Sequence, residues 1–174
     1  MCPASQALEA AARLLLLEFC EWLYELRVSQ TVRESTWVFP TLDAIHIYSM
    51  AIFVMVMAAV DLRLLGFRIE QQPRQPLSHF TRRVLRWGWV AFGLHALSGT
   101  LLFAAGAVDY YVNPAFRIKI LLVLLGVAYH WVVLPVVAKR EEASPMPIGS
   151  KLAGGFGLLL WVGVIAAARW IAYV

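Results

Sequence analysis

The stretch AIHIYSMAIFVMVMAAVDLRLLG, residues 44–66, is apolar almost throughout, yet it carries His46 near its start and closes on Asp61, Leu62 and Arg63. Its charge-free centre, Ala44 to Val60, would rise about 25 Å as a helix, and its flanks supply the rest of a hydrocarbon core roughly 30 Å thick. The stretch therefore reads as most of a membrane span from Trp37 to Leu65.

The whole chain agrees with that reading. It has 174 residues, 61% of them hydrophobic and 15% charged, with a mean hydropathy of +0.70. A typical soluble domain carries roughly 25% charged residues, so this chain cannot cover its surface for water, and its main solvent is the lipid bilayer. The net charge of +4 is not a nucleic-acid signature, because the basic residues cluster between the apolar runs, as membrane topology requires.

Working outward gives three further spans, at about 87–108, 117–138 and 152–174. Trp37, Trp87, Tyr110, Tyr111, Trp170 and Tyr173 stand near the borders, where amphipathic rings prefer to lie. The connection from Arg63 to Arg86 holds six arginines and that from Lys139 to Lys151 three basic residues, whereas DYYVNPAF, residues 109–116, holds none. The positive-inside rule puts the first and third connections in the cytoplasm and both termini on the outer side. QQPRQPLS (71–78) and EEASPMPIGS (141–150) read as turn-rich loops.

Residues 5–28 read as an amphipathic helix, with Leu8, Ala12, Leu15, Phe19, Trp22 and Leu26 recurring at spacings of three or four. Glu9, Glu18, Glu21 and Glu25 make it too charged to span, so it belongs at the outer interface or across the mouth of the bundle. Its Leu14–Leu17 run is too short, and too acidic at its flanks, for a cleavable signal peptide. Cys2 and Cys20 are too few for a disulfide framework. The expected fold is all-α: an amphipathic N-terminal helix and linker over 1–34 and a four-helix transmembrane bundle over 35–174.

Ionisable residues at membrane depth mark a site or an interhelical contact. Of the four histidines, His79 falls among the arginines of the first connection, while His46, His95 and His130 lie within spans. Gly88, Ala91, His95, Ser98, Gly99 and Gly106 share one helical face, a groove with an imidazole at its centre. Such a face serves close helix packing, or it admits a flat macrocycle whose iron the imidazole ligates. His130 has Gly126 four residues before it. Counted from the predicted outer boundaries, His95 lies about 19 Å deep, His130 about 22 Å and His46 about 12 Å. On that count His95 and His130 are a level pair of axial ligands for one haem b, with Gly99, Gly126 and Gly88 leaving room for it, and His46 is a separate outward-facing element.

His46, Met50, Met57 and Asp61 form a second stripe, on one face of the first span. Methionine is ordinary apolar filler, but thioethers beside an imidazole also suit copper. Asp43, three residues before His46, is placed to orient its ring. Asp61 and Arg63 read as an interface anchor, each facing another helix. No Ser/His/Asp arrangement, phosphate loop, HExxH or CxxC is present, which argues against a hydrolase or kinase and leaves electron transfer open.

STWVFPTLDAIHIYSMAIFVMVMAAVDLRLLG (35–66), with its Trp-x-Phe-Pro, its histidine and its Asp-Leu-Arg-Leu-Leu-Gly ending, resembles an uncharacterised family of small bacterial four-helix membrane proteins. SGTLLFAAGAVDYYVNPAFRIKILLVLLG (98–126) is similar to the same family's passage from second to third span. The resemblance implies residence in a bacterial cytoplasmic membrane, with termini on the periplasmic side, and brings no activity with it. A looser likeness, in span number and intramembrane histidines, joins the chain to four-helix b-type cytochromes and copper-resistance D-type proteins. Two functions are thus expected as alternatives. One is a haem b electron carrier, or the cytochrome subunit of a larger complex, with a quinone or redox protein as partner. The other is a non-enzymatic accessory or transport subunit that handles copper. Either could assemble into a larger complex or homo-oligomer.

Overall fold

The structure, a computed structural model, describes residues 3–67, 77–138 and 148–173. Among these it is all-α: α1 (Pro3–Glu25), α2 (Arg27–Glu34), α3 (Val38–Leu64), α4 (Leu77–Ala105), α5 (Ala107–Val112), α6 (Pro114–Ala138) and α7 (Ile148–Trp170), followed by a 3-10 turn over Ile171–Tyr173. Val38–Leu64, Val84–Ala105, Pro114–Val133 and Ile148–Tyr173 are long and apolar enough to cross a membrane. Each presents a lipid-suited surface, with Ile52 and Met55 on α3, Leu94 and Leu97 on α4, Leu121 and Leu124 on α6, and Leu159 and Val162 on α7 all exposed. The chain is a membrane protein in contact with lipid.

The expected boundaries shift for local reasons. The predicted single helix over 5–28 is two, because the Ser29 hydroxyl donates to Leu23 O at 2.6 Å; Leu26 turns extended there, with ψ 140°. A side chain that takes a helix carbonyl offers the backbone an alternative to the ladder. Ser35 ends α2 and caps α3, accepting from the amides of Trp37 and Val38. Pro40 falls in the first turn of α3, where its missing N–H is not needed.

At the other end of α3, the amide of Phe67 donates to Leu62 O and that of Gly66 to Arg63 O. Gly66 has φ +98°, the left-handed stop that a side chain resists. DYYVNPAF is no open loop: Gly106 breaks α4, α5 covers Ala107–Val112, and Pro114 opens α6 at a position that suits proline. The predicted loops 71–78 and 141–150 lie outside the described residues except at 77–78 and 148–150, which are already helical. Cys2 and the side chain of His79 also lie outside them.

Two compact units emerge, Met1–Ile47 with His95–Asn113, and Tyr48–Leu94 with Pro114–Val174. In the first, α1 packs along α5, Cys20 is buried, and the Tyr111 hydroxyl donates to Arg13 O. Arg33 donates to Tyr24 O and Ala105 O, and its guanidinium lies 3.8 Å over the Tyr24 ring. Leu8, Leu15, Phe19 and Trp22, the predicted apolar face of α1, are exposed. In the second unit, Phe53, Val56, Met57, Ala91, Trp161 and Val164 form the core, with Met50 packed against it. A Cβ on Gly88 would stand 2.8 Å from Val56, so this glycine serves close helix approach, as small residues do in membranes.

Candidate functional site

Among the described residues, each unit brings a polar couple together at its helix contacts. In the second unit it is built from α3, α6 and α7. His130 Nδ1 lies 2.8 Å from Gly126 O, one turn back on α6. A carbonyl only accepts, so Nδ1 carries a hydrogen. His130 Nε2 lies 3.2 Å from both Asp61 oxygens, and the Trp161 indole N–H points at the same nitrogen across 3.4 Å. Asp61 and Trp161 are each 1% exposed and His130 3%. Without a proton between them, the Nε2 lone pair would face a carboxylate. A carboxylate and an imidazole held in this way can share one proton, drawn as Asp⁻/HisH⁺ or AspH/His, with no net charge.

α7 accommodates the carboxylate by omission. A Cβ on Gly157 would stand 2.5 Å from both Asp61 oxygens, and one on Gly154 would meet the backbone carbonyl of Asp61. Tyr129 ties α6 to α7 through its hydroxyl, which donates to Ala153 O at 2.7 Å, and its ring stands edge-on to His130. Asp61 was expected at the interface; it is instead sealed inside the unit, because α3 runs on past it to Leu64 and α7 covers it. Arg63, two residues on, is half-buried.

In the first unit, His46 and His95 stack with ring centroids 3.9 Å apart and planes 24° from parallel. Their hydrogen bonds are reciprocal: His46 Nδ1 donates to His95 O, and His95 Nδ1 to His46 O, both at 3.1 Å. Ser98 Oγ lies 3.3 Å from His46 Nδ1 and donates to His95 O. Gly99 makes room for the ring, since a Cβ there would be 2.8 Å from His46 Cε1. Asp43, expected to orient His46, is exposed. It lies near Tyr110, whose hydroxyl pKa is raised by burial first and then by the charges of Asp43 and Asp109.

The predicted site residues are thus brought together in other pairs than expected. His95 meets His46, and His130 meets Asp61. Gly99 faces the His46 ring, Gly126 the Trp161 ring and Gly88 Val56, so each space assigned to a porphyrin edge receives a protein side chain. Met50 and Met57 pack in an apolar core. Among the described residues, no three His, Cys, Asp or Glu side chains converge as a metal site. Trp161, Gly154 and Gly157 were missed from sequence, although their spacing of three and four in GGFGLLLW (154–161) marks one face of α7.

The model of a family described as a family of unknown function (DUF6644) matches residues 19–174. No curated protein and no solved structure matches the chain.

Proposed function

The chain belongs to this family of unknown function, so no activity comes with membership, and we propose from its own residues that it is a proton-coupled membrane transport subunit. Asp61 and His130 take up and release the proton. One observation carries the reading: His130 Nε2 is held equidistant from both Asp61 oxygens while Nδ1 is committed to Gly126 O. A lone charge at membrane depth costs about 3 kcal/mol or more, whereas a couple that keeps its proton is neutral. An apolar pair of the same volume would pack at no electrostatic cost, so stability alone does not call for the couple. Asp61 lies three residues from the end of α3, beside the arginine-rich connection that the positive-inside rule assigns to the cytoplasm. The proton exchanges with that side, and both termini face the periplasm of a bacterial cytoplasmic membrane.

The test is proton flux. The full chain is placed in vesicles containing a pH-sensitive dye, and a potassium diffusion potential is imposed. Wild-type protein should acidify or alkalinise the lumen with the sign of the potential, and Asp61→Asn should abolish the change. Equal flux in both, or none in the wild type, overturns the reading.

A second reading has its own observation. Nδ1 of His95 and of His130 each donates to a backbone carbonyl, the bracing that ligating imidazoles show. This bracing supports each of these imidazoles, taken by itself, as a candidate haem b ligand in an electron carrier or cytochrome subunit serving a quinone or redox protein. A reduced-minus-oxidised optical spectrum of the purified protein, with cytochrome bands lost in His95→Ala and His130→Ala, supports it; a featureless spectrum removes it.

A further inference from the structure

Resting on the proton-coupled reading, we propose that Trp161 is the positioning residue that takes over His130 Nε2 when the proton leaves Asp61–His130. Nδ1–H is spent on Gly126 O, which leaves Nε2 as the group that changes. With the proton bound, Nε2 either donates to the Asp61 oxygens at 3.2 Å or accepts from a protonated Asp61. In the first form it has nothing to offer an indole N–H; in the second its one lone pair is taken. The Trp161 N–H nevertheless points at Nε2 across 3.4 Å, and a tryptophan N–H can only donate.

When the couple gives one proton to water, it passes from neutral to a single negative charge, a carboxylate beside a neutral imidazole. Nε2 then has a lone pair facing that carboxylate, and the indole N–H becomes its matching partner. The indole dipole also points its positive end toward the new charge. Trp161 thus stabilises the proton-free state and is idle in the proton-bound one. It is held in place to do so, being 1% exposed, with its ring edge-on to Phe53 at 5.0 Å and filling the space above Gly126. The other titratable groups facing the couple among the described residues are few. α3 supplies Asp61 itself and α6 supplies Tyr129, whose hydroxyl is turned to Ala153 O; α7 supplies the indole and glycines.

pH-difference infrared spectra of the full chain in bilayers read the couple whichever partner holds the proton, through a carboxyl C=O band or imidazolium ring bands. Wild-type protein should show a transition that Asp61→Asn removes. Trp161→Phe should move its midpoint upward by about one pH unit, because roughly one hydrogen bond to the proton-free state is lost. A second measurement needs no altered protein: with tryptophan labelled at the indole nitrogen, the Trp161 resonance should shift across the same midpoint in the wild type. No Asp61-dependent transition would sink the proton-coupled reading itself. A transition that persists with an unmoved midpoint in Trp161→Phe, or a Trp161 resonance flat across it, would sink only the role of the indole.

Discussion

Replacing Gly157 by alanine should separate Asp61 from His130, and its size can be worked from the structure. The new Cβ would stand 2.5 Å from both carboxylate oxygens, whereas ordinary contact begins at 3.4 Å, so the carboxylate must withdraw by about 0.9 Å. Its bond to Nε2, now 3.2 Å, would lengthen beyond hydrogen-bonding range. Overpacking of a close contact costs about 1–3 kcal/mol, and a buried polar group left unpaired costs about 1–3 kcal/mol. Alanine recovers about 1 kcal/mol of helix propensity over glycine. The net expectation is a loss of about 3 kcal/mol, the middle of a span of about 1–5 kcal/mol. Gly154→Ala should lose more, because its Cβ meets a backbone carbonyl that cannot rotate away. Gly93, where a Cβ meets nothing within 4 Å, is the control and should be neutral or slightly stabilised. Thermal unfolding in detergent, followed by circular dichroism, ranks the three. A Gly157→Ala protein as stable as Gly93→Ala, with its infrared transition intact, would refute the account of the α3–α7 contact.

The Cβ added by Gly99→Ala, 2.8 Å from His46 Cε1, should push the ring away, break the reciprocal bonds and cost on the order of 1 kcal/mol; unchanged histidine resonances in labelled protein would count against this. Tyr110 should ionise above the ordinary phenol range, its pKa being raised by burial, Asp43 and Asp109. The stability this contributes is complete below about pH 10 and is lost as pH rises through the raised value. Alkaline titration of tyrosinate absorbance should accordingly show one late component that Tyr110→Phe removes and Asp43→Asn brings earlier. With Cys2 and Cys20 replaced, single cysteines at Gln75 and Val112 should label from opposite sides of the membrane, and labelling from the same side would contradict the assigned orientation.

The spans were legible because sustained apolar runs and arginine placement are long signals that local detail cannot erase. The Asp-Leu-Arg-Leu-Leu-Gly ending was legible as a motif, and the structure gives it parts: Asp61 is the carboxylate of the couple and Gly66 the left-handed stop. The pairing of the histidines was not legible. Depth was counted from Val108, but α4 ends at Ala105, where Gly106 breaks it. Counted from Ala105, His95 lies about 15 Å along α4, close to the roughly 12 Å of His46 along α3. A shift of three residues in the boundary is thus enough to bring His95 level with His46, against which it stacks. Asp61 was legible as facing another helix, and it bonds to His130 on α6; its depth was not, because Arg63 beside it suggests an interface and nothing in one sequence says that the glycines of α7 lie where the carboxylate needs room. Trp161 was hidden in plain composition, one aromatic among many near a span.

The sparse packing of α6 gives the Asp61–His130 couple a second consequence. Only 11% of the membrane window of α6 is buried, against 28% to 39% in the other three spans. Its buried residues, Ala115, Gly126 and His130 among those described, offer little area for dispersion to hold it. Lipid competes well for such a helix, since tails are as apolar as its leucines. What lipid cannot replace are the bonds from His130 to Asp61 and from Tyr129 to Ala153, each worth roughly 0.6 kcal/mol by membrane averages. The adhesion of this span is then partly an acid–base quantity: whatever sets the proton on Asp61–His130 also sets how firmly α6 is fastened.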